Sequence, residues 1–383
     1  MRAGQGIIVI SIALLMLGVI MVNSAGMQIS QQPLHLSDIL TSRPTLLALC
    51  AIIAMYCGSR FPLGILQKSL WKVPLVLWLF PITIVLLLAV YAPVIGREVN
   101  YSNRWIDIGG FNFQPSEIAK WSMVLLVAFW CSKYFTNMQN FWKGFIPPMI
   151  GIGSIVAIIA VEDLGTAVLV FIVACTILFA SGAKLVYFAS LAPIGAGGLA
   201  FALLSSPYRW ARIQTYLHPF EAPEGDGYHI LQSMSAISEG GLAGLGLGNG
   251  IHKFGYLPED TTDFIYSVIC EELGIFGSFA VASLYVGLVV LGVLIIKKTT
   301  TTFQQLLALG IITTVGFQAA MNILVVTALV PTKGIALPLL SNGGTGWLLT
   351  AFCIGLIDAI DRNNESSVTK LNHQTTSFSR TNA

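Results

Sequence analysis

Charge is what this chain has least of. Only 10% of its 383 residues are charged, 18 acids against 20 bases. There is no basic stripe of the kind that neutralises a phosphate backbone, so nucleic acid is excluded as a partner. Histidine is scarcer still: His35, His218, His229, His252 and His373 are scattered, and their spacing indicates no metal cluster. The six cysteines, Cys50, Cys57, Cys131, Cys175, Cys270 and Cys353, all fall in apolar stretches. They form neither a disulfide framework nor a zinc pattern and read as small packing residues. No Walker lysine motif occurs, and the glycines of 240–250 lack the strand and helix setting of a nucleotide fingerprint, so they read as tight turns or close helix approach. No stretch has the composition of a soluble domain.

What the chain has in abundance is apolar sequence. Hydrophobic residues make up 55% of it and the mean hydropathy is +0.78. Runs near the roughly 20 residues that cross a bilayer recur around 7–24, 45–59, 73–95, 117–135, 145–161, 164–181, 184–205, 264–296, 303–329 and 344–361. These predict an all-α polytopic membrane protein with about ten transmembrane helices. Glu162 and Asp163 divide the 145–181 pair. The 264–296 run exceeds what a bilayer needs, so its first turns belong to a site or to a tilted helix. Arg2 before the first run and Ser24, Ala25 and Gly26 after it resemble a signal peptide. Nine further spans leave nothing soluble to export, which favours a retained helix.

An even number of spans puts both termini on one side. Lys and Arg then fall on that side at Arg2, Arg60, Lys68, Lys72, Lys133, Lys143, Lys184, Lys297, Lys298, Arg362, Lys370 and Arg380. The opposite side holds Arg43, Arg97, Arg104, Arg209, Arg212, Lys253 and Lys333. The excess makes the termini cytoplasmic. The membrane domain is expected over 1–362, with a large extracytoplasmic loop, 206–263, between helices 7 and 8. The polar stretch 363–383 is expected to be a disordered cytoplasmic tail.

Against this low charge, Glu259, Asp260, Asp263, Glu271 and Glu272 crowd into Gly255–Gly274 at the mouth of an apolar run. A carboxylate at the centre of a membrane helix costs roughly 2.5–3.5 kcal/mol on insertion scales, so such a crowd marks a candidate site. If the helix extends back to Asp263, Glu271 lies on the same face eight residues on, with Ser267 between them. Glu117 and Lys120 are three apart at the start of a span, a spacing that permits an ion pair. The large loop holds Gly225, Asp226 and Gly227, and the shorter loop before Glu117 holds Gly109 and Gly110. Proline and glycine at Pro331, Gly334, Pro338, Gly343 and Gly344 beside apolar sequence suggest a re-entrant or broken helix, which survives at membrane depth only where protein or a water-filled cavity satisfies its backbone.

Five stretches in order resemble the SEDS family of polytopic peptidoglycan polymerases. They are NRWIDIGGFNFQPSEIAK at 103–120, EDLGTA at 162–167, GYHILQSMSAI at 227–237, GLGLGNGIHKFGYLPEDTTDFIYSVICEELG at 244–274 and PTKGIALPLLSNGG at 331–344. The 331–334 segment and the Gly-Leu-Gly-Asn run are more similar to the FtsW branch than to RodA. The resemblance implies glycosyl transfer between lipid II and a lipid-linked glycan strand, in cell division or cell-shape maintenance. It also implies a class B penicillin-binding protein and other division or elongation proteins as partners. It implies that Asp263 is the catalytic carboxylate. The acceptor hydroxyl must lose a proton as it attacks the anomeric carbon, and a positioned base is worth about 10²–10⁴-fold. The diphosphate leaving group is a stable anion, so one base and neighbouring cations suffice, without the carboxylate pair of glycoside hydrolases.

Arg104, Arg209, Arg212, Lys253 and Lys333 are outer-side cations suited to the diphosphate, with lipid headgroup contact as the plainer reading of each; Arg104 and Lys333 rank first because they lie in the matching motifs. Glu117 and Lys120 read as structural support, Asp163 as a site-lining or helix-packing acid, and Glu271 and Ser341 as supporting residues. No cofactor is required; a divalent cation is left open. Three positions depart from the family pattern: Thr261 stands where histidine is usual, Asn342 where tyrosine is, and Glu162 where proline is. Two other functions remain: a lipid-precursor flippase or transporter, which shares the broken helices, and a non-catalytic scaffold that activates the transpeptidase.

Overall fold

The computed structural model describes residues 2–26, 36–92, 96–99, 102–108, 111–221 and 227–381. His35, Gly109, Gly110, Gly225 and Asp226 lie outside them. Among the described residues the chain forms α1 (Ala3–Ala25), α2 (Leu36–Thr41), α3 (Arg43–Arg60), α4 (Leu79–Ala89), α5 (Pro115–Lys133), α6 (Ile146–Glu162), α7 (Leu164–Ala180) and α8 (Leu185–Leu204). There follow α9 (Pro207–Leu217), α10 (Tyr228–Gly240), α11 (Ile265–Lys298), α12 (Thr302–Val326) and α13 (Gly344–Thr381). Helix starts follow local chemistry. Pro44, Pro115 and Pro207 sit in first turns, where a missing N–H costs nothing. The Ser42 hydroxyl accepts the Thr45 N–H at 3.4 Å and so caps α3.

Each of the ten apolar stretches contains a helix. Among the described residues, six helices are long and apolar enough to cross a membrane: Ala3–Ala25, Phe141–Glu162, Leu185–Leu204, Ile265–Lys298, Thr302–Val326 and Gly344–Glu365. Two shorter apolar ones are Leu75–Ala89 and Leu164–Ala180. α12 packs on α5, α7, α11 and α13, and α1 and α3 pack on α13. At the α3–α13 crossing a Cβ on Gly58 would stand 2.2 Å from the Phe352 carbonyl oxygen, so glycine is what lets the backbones meet. α8 has no buried residue.

Short strands accompany the helices. β3 (Gly96–Val99), β4 (Ser102–Ile108) and β5 (Phe111–Phe113) form an antiparallel sheet before α5, pairing Arg97 with Trp105 and Ile106 with Phe113. A smaller pair joins β1 (Ser69–Leu70) to β2 (Val73–Pro74). The 206–263 stretch contains α9 and α10, with α10 packed along α11. α13 runs on into the polar stretch to Thr381.

The over-long run is broken. Gly274 has φ 66 inside α11, and a Cβ there would stand 2.4 Å from the Gly244 nitrogen. Only glycine combines that conformation with that approach. The break separates a buried first half, 265–273, from a lipid-length second half that exposes Ile275, Phe276 and Phe279.

The segment between α12 and α13 is irregular, and largely buried from Ile335 to Ser341. α12 supplies its donors: Gln318 Nε2 reaches the Ala336 carbonyl at 2.8 Å and Asn322 Nδ2 the Ile335 carbonyl at 2.7 Å. Tyr285 of α11 donates its hydroxyl to the Pro338 carbonyl at 2.5 Å. Non-helical backbone at this depth thus finds its partners in neighbouring helices.

Candidate active site

Asp263 ends a tight turn, one residue before the helix cap of α11. Glu259 opens that turn at φ 55, and its carbonyl accepts the N–H groups of Thr262 and Phe264, each at 3.1 Å. The Asp263 carbonyl accepts Asn322 Nδ2 at 2.7 Å, so one α12 amide holds both this turn and the irregular segment. The side chain lies against Gly334: a Cβ there would stand 2.8 Å from Asp263 Oδ2. Asp263 is partly buried. Burial, with Glu259 and Asp163 nearby, pushes its pKa up to about 7, against the pull of Arg104 and Arg212.

The cations that act on Asp263 come from separate segments. Asp163 caps α7, accepting the Thr166 N–H at 3.0 Å and its hydroxyl at 2.8 Å. Its Oδ2 also stands 3.7 Å from Arg104 Nη1 on β4. Asp163 is therefore both a helix-packing acid and a wall of the site. Lys333 lays its aliphatic stem over Gly165, where a Cβ would stand 3.0 Å from Lys333 Cδ. Burial lowers the Lys333 pKa to about 8; Asp163 opposes the shift, and Arg209, Arg212 and Arg104 add to it. Arg212 donates to the Thr332 carbonyl at 3.4 Å and to the Tyr208 hydroxyl. Arg209 is more committed: it donates to the carbonyls of Ala160 at 2.8 Å, Val161 at 2.5 Å and Ala202 at 3.1 Å, closing the C-terminal end of α6.

The remaining expected site residues lie elsewhere. Lys120 is buried, and its ammonium donates to both Glu117 oxygens at 2.8 Å and to Gln318 Oε1 at 2.9 Å. This ion pair supports α5 against α12. Lys253 does not join the outer cations. Its side chain is fully buried, with Nζ 2.8 Å from Glu272 Oε1 and 3.2 Å from Ser24 Oγ. Glu271 does not face Asp263, because the helix starts only after that residue and the periodicity between them does not hold. Glu271 turns instead to the loop before the site, accepting the Ile251 N–H at 2.6 Å and the His252 N–H at 3.2 Å. Ser341 is buried and closes its own turn, accepting the Leu337 N–H at 2.6 Å. Histidine is also not wholly scattered: His252 stands between Glu239 and Glu271, within reach of both.

Sequence reasoning missed Gln318 and Asn322. They lie four apart on α12, facing the break before α13, and paired amides beside a Pro- and Gly-broken segment were the available signal.

The FtsW/RodA/SpoVE family profile, described as cell cycle protein, matches residues 5–366. The chain belongs to this family. Among the relatives of this FtsW/RodA/SpoVE member, it is 36% identical over 357 residues to a probable peptidoglycan glycosyltransferase FtsW of Geobacter sp. (strain M18), covering 92% of this chain and 96% of that protein. It is 34% identical over 363 residues to stage V sporulation protein E of Bacillus subtilis (strain 168), covering 93% and 96%. Two solved structures share the fold. One is a chain of a peptidoglycan synthase complex that coordinates polymerization and crosslinking, with TM-score 0.73, 22% identity and coverage of 94% and 98%. The other is Thermus thermophilus RodA, with TM-score 0.58, 22% identity and coverage of 94% and 96%. Like them, the chain is a multi-pass membrane protein.

Within the FtsW/RodA/SpoVE frame the three departures become concrete. The Thr261 carbonyl accepts the Asn342 N–H at 2.9 Å, so two of them meet through the backbone and tie the Asp263 turn to the irregular segment. The third, Glu162, accepts the Asn103 N–H at 2.9 Å and the Tyr91 hydroxyl at 3.0 Å. It fastens β4, the strand that carries Arg104, to the end of α6.

Proposed function

We propose that this chain is a peptidoglycan glycosyltransferase that polymerises lipid II at the outer face of the bacterial cytoplasmic membrane, with both termini cytoplasmic. The observation that carries this reading is the meeting of Asp263, Arg104, Arg212 and Lys333 from the turn before α11, β4, α9 and the segment after α12. One carboxyl poised near neutrality beside several cations suits this reaction. Asp263 takes the proton of the acceptor hydroxyl as that oxygen bonds to the donor anomeric carbon. The bond from that carbon to the diphosphate oxygen breaks, its electron pair leaving on the diphosphate. Arg104, Arg212 and Lys333 offset the departing charge. Arg209 and Asp163 hold the walls, and Asn322 fixes the turn that carries the base.

A class B penicillin-binding protein is the proposed partner, supported by the shared fold with a chain from a complex that coordinates polymerization and crosslinking. The test is polymerisation of purified lipid II by the wild type and by Asp263→Asn, each with and without the transpeptidase. The expected result is loss of polymer with Asp263→Asn while membrane insertion and partner binding persist. Undiminished polymer from that variant removes Asp263 from the chemistry. Transbilayer movement of labelled lipid II without polymerisation would favour the flippase function instead.

A further inference from the structure

A second group of titratable side chains converges away from Asp263. Glu239 lies in the last turn of α10, His252 in the loop that follows and Glu271 in the buried first half of α11. One ligand atom from each lies within 4.8 Å of the others. His252 Nδ1 stands 3.0 Å from Glu271 Oε1 and 3.8 Å from Glu239 Oε2. His252 and Glu271 are buried, whereas Glu239 is open to solvent.

A second observation sets this group apart from a cluster of solvated acids. Glu271 is fully buried, yet its Oε2 has no hydrogen-bond partner among the described residues. The donors that reach this carboxylate all go to Oε1: the N–H groups of Ile251 and His252, with the imidazole beside them. A buried carboxylate oxygen without a partner is costly. The neighbouring ammonium, Lys253, is bound to Glu272. Gly250 packs close to that oxygen, where a Cβ would stand 2.9 Å from Oε2.

We propose that Glu239, His252 and Glu271 bind a first-row divalent cation, Mn²⁺ or Zn²⁺. One imidazole nitrogen with two carboxylates is a donor set suited to such ions. Ligands at 2.0–2.2 Å in a tetrahedron are about 3.4 Å apart. The two distances from Nδ1, 3.0 and 3.8 Å, bracket that value. Small carboxylate rotations complete the site, and the solvent side at Glu239 admits the ion and a water as fourth ligand. The ion takes the Nδ1 lone pair, so neutral His252 carries its proton on Nε2 and exchanges its bond to Glu271 for two metal bonds. The ion does not touch substrate. It clips α10, the loop and α11 together, and that loop leads directly into the turn carrying Asp263.

The test uses the full chain in detergent, without a polyhistidine tag. The protein is stripped with chelator and titrated separately with Mn²⁺ and Zn²⁺. Bound metal is measured by mass spectrometry after gel filtration, and thermal unfolding is followed in parallel. The expected result is about one retained ion per chain with a raised Tm. Glu239→Gln and His252→Gln are each expected to weaken binding at least tenfold and to abolish the Tm rise. Because Glu239 is exposed, its variant keeps the fold, and an unchanged metal-free Tm and elution volume would verify this. No retained ion in the wild type, or unchanged binding in both variants, overturns the proposal. Asp263→Asn is expected to bind the ion as the wild type does, so failure of the glycosyl-transfer reading and failure of this one are distinguishable.

Discussion

The Asp263–Lys333 pair predicts a narrow bell-shaped pH dependence. As general base, Asp263 acts only when ionised, above about 7. As a cation for the diphosphate, Lys333 acts only when protonated, below about 8. The fraction of enzyme with both groups in the working state then peaks near pH 7.5 and falls to about one sixth of its maximum at pH 6 and at pH 9. Initial rates at subsaturating lipid II report these free-enzyme values, measured in buffers of constant ionic strength because the cation cluster is salt-sensitive. Lys333→Arg keeps the charge and removes the alkaline titration, so it is expected to move the upper limb by more than one pH unit and leave the lower limb in place. Stability carries the opposite sign. Folding raises the Asp263 pKa, so the ionised carboxyl opposes folding in a window that opens above its unfolded value, near 4, and levels off above about 7. Asp263→Asn is therefore expected to raise Tm progressively across that window while abolishing turnover, a trade common at active sites. A flat rate profile between pH 6 and 9, or an alkaline limb unmoved by Lys333→Arg, refutes the assignment of these two groups.

Gly334→Ala places a Cβ 2.8 Å from Asp263 Oδ2; the carboxyl must retreat, and a loss approaching 10²-fold in kcat is expected, with unaltered Tm distinguishing displacement from unfolding. Asn322→Ala strips a donor from the carbonyls of Asp263 and Ile335, so a destabilisation of about 1–3 kcal/mol and a sharp loss of polymerisation are expected, read by thermal unfolding and by polymer yield. Lys120→Met leaves Glu117 unpaired inside the bundle and is expected to cost about 3–5 kcal/mol. The double variant Glu117→Gln with Lys120→Met should recover part of that loss, and recovery of none would show that the pair is not the source. Gly274→Ala cannot hold φ 66 beside the Gly244 backbone, and loss of folded protein is expected in gel filtration from detergent.

The sequence by itself determined the broad architecture. Apolar runs of bilayer length, the Glu162–Asp163 break and the overlong run before Lys298 were all legible, because hydrophobic length is a one-dimensional property. The Glu117–Lys120 pair was legible for a similar reason, since three residues on a helix fix two side chains on one face. The antiparallel sheet carrying Arg104 was not, because strand pairing joins segments that share no local period.

Only the tertiary structure decided which charges work together. Lys253 and Lys333 are equivalent in sequence, two lysines in outer loops, yet one is sealed against Glu272 and the other lies over Gly165 beside Asp163. Glu271 and Asp263 were eight apart on a presumed helix, until the cap after Asp263 turned them to different neighbours. Gln318, Asn322 and the Glu239–His252–Glu271 group find their partners in segments distant in sequence. Their roles depend on which buried carbonyls and carboxylates lack partners, and that is settled only when distant segments are packed together and water is excluded.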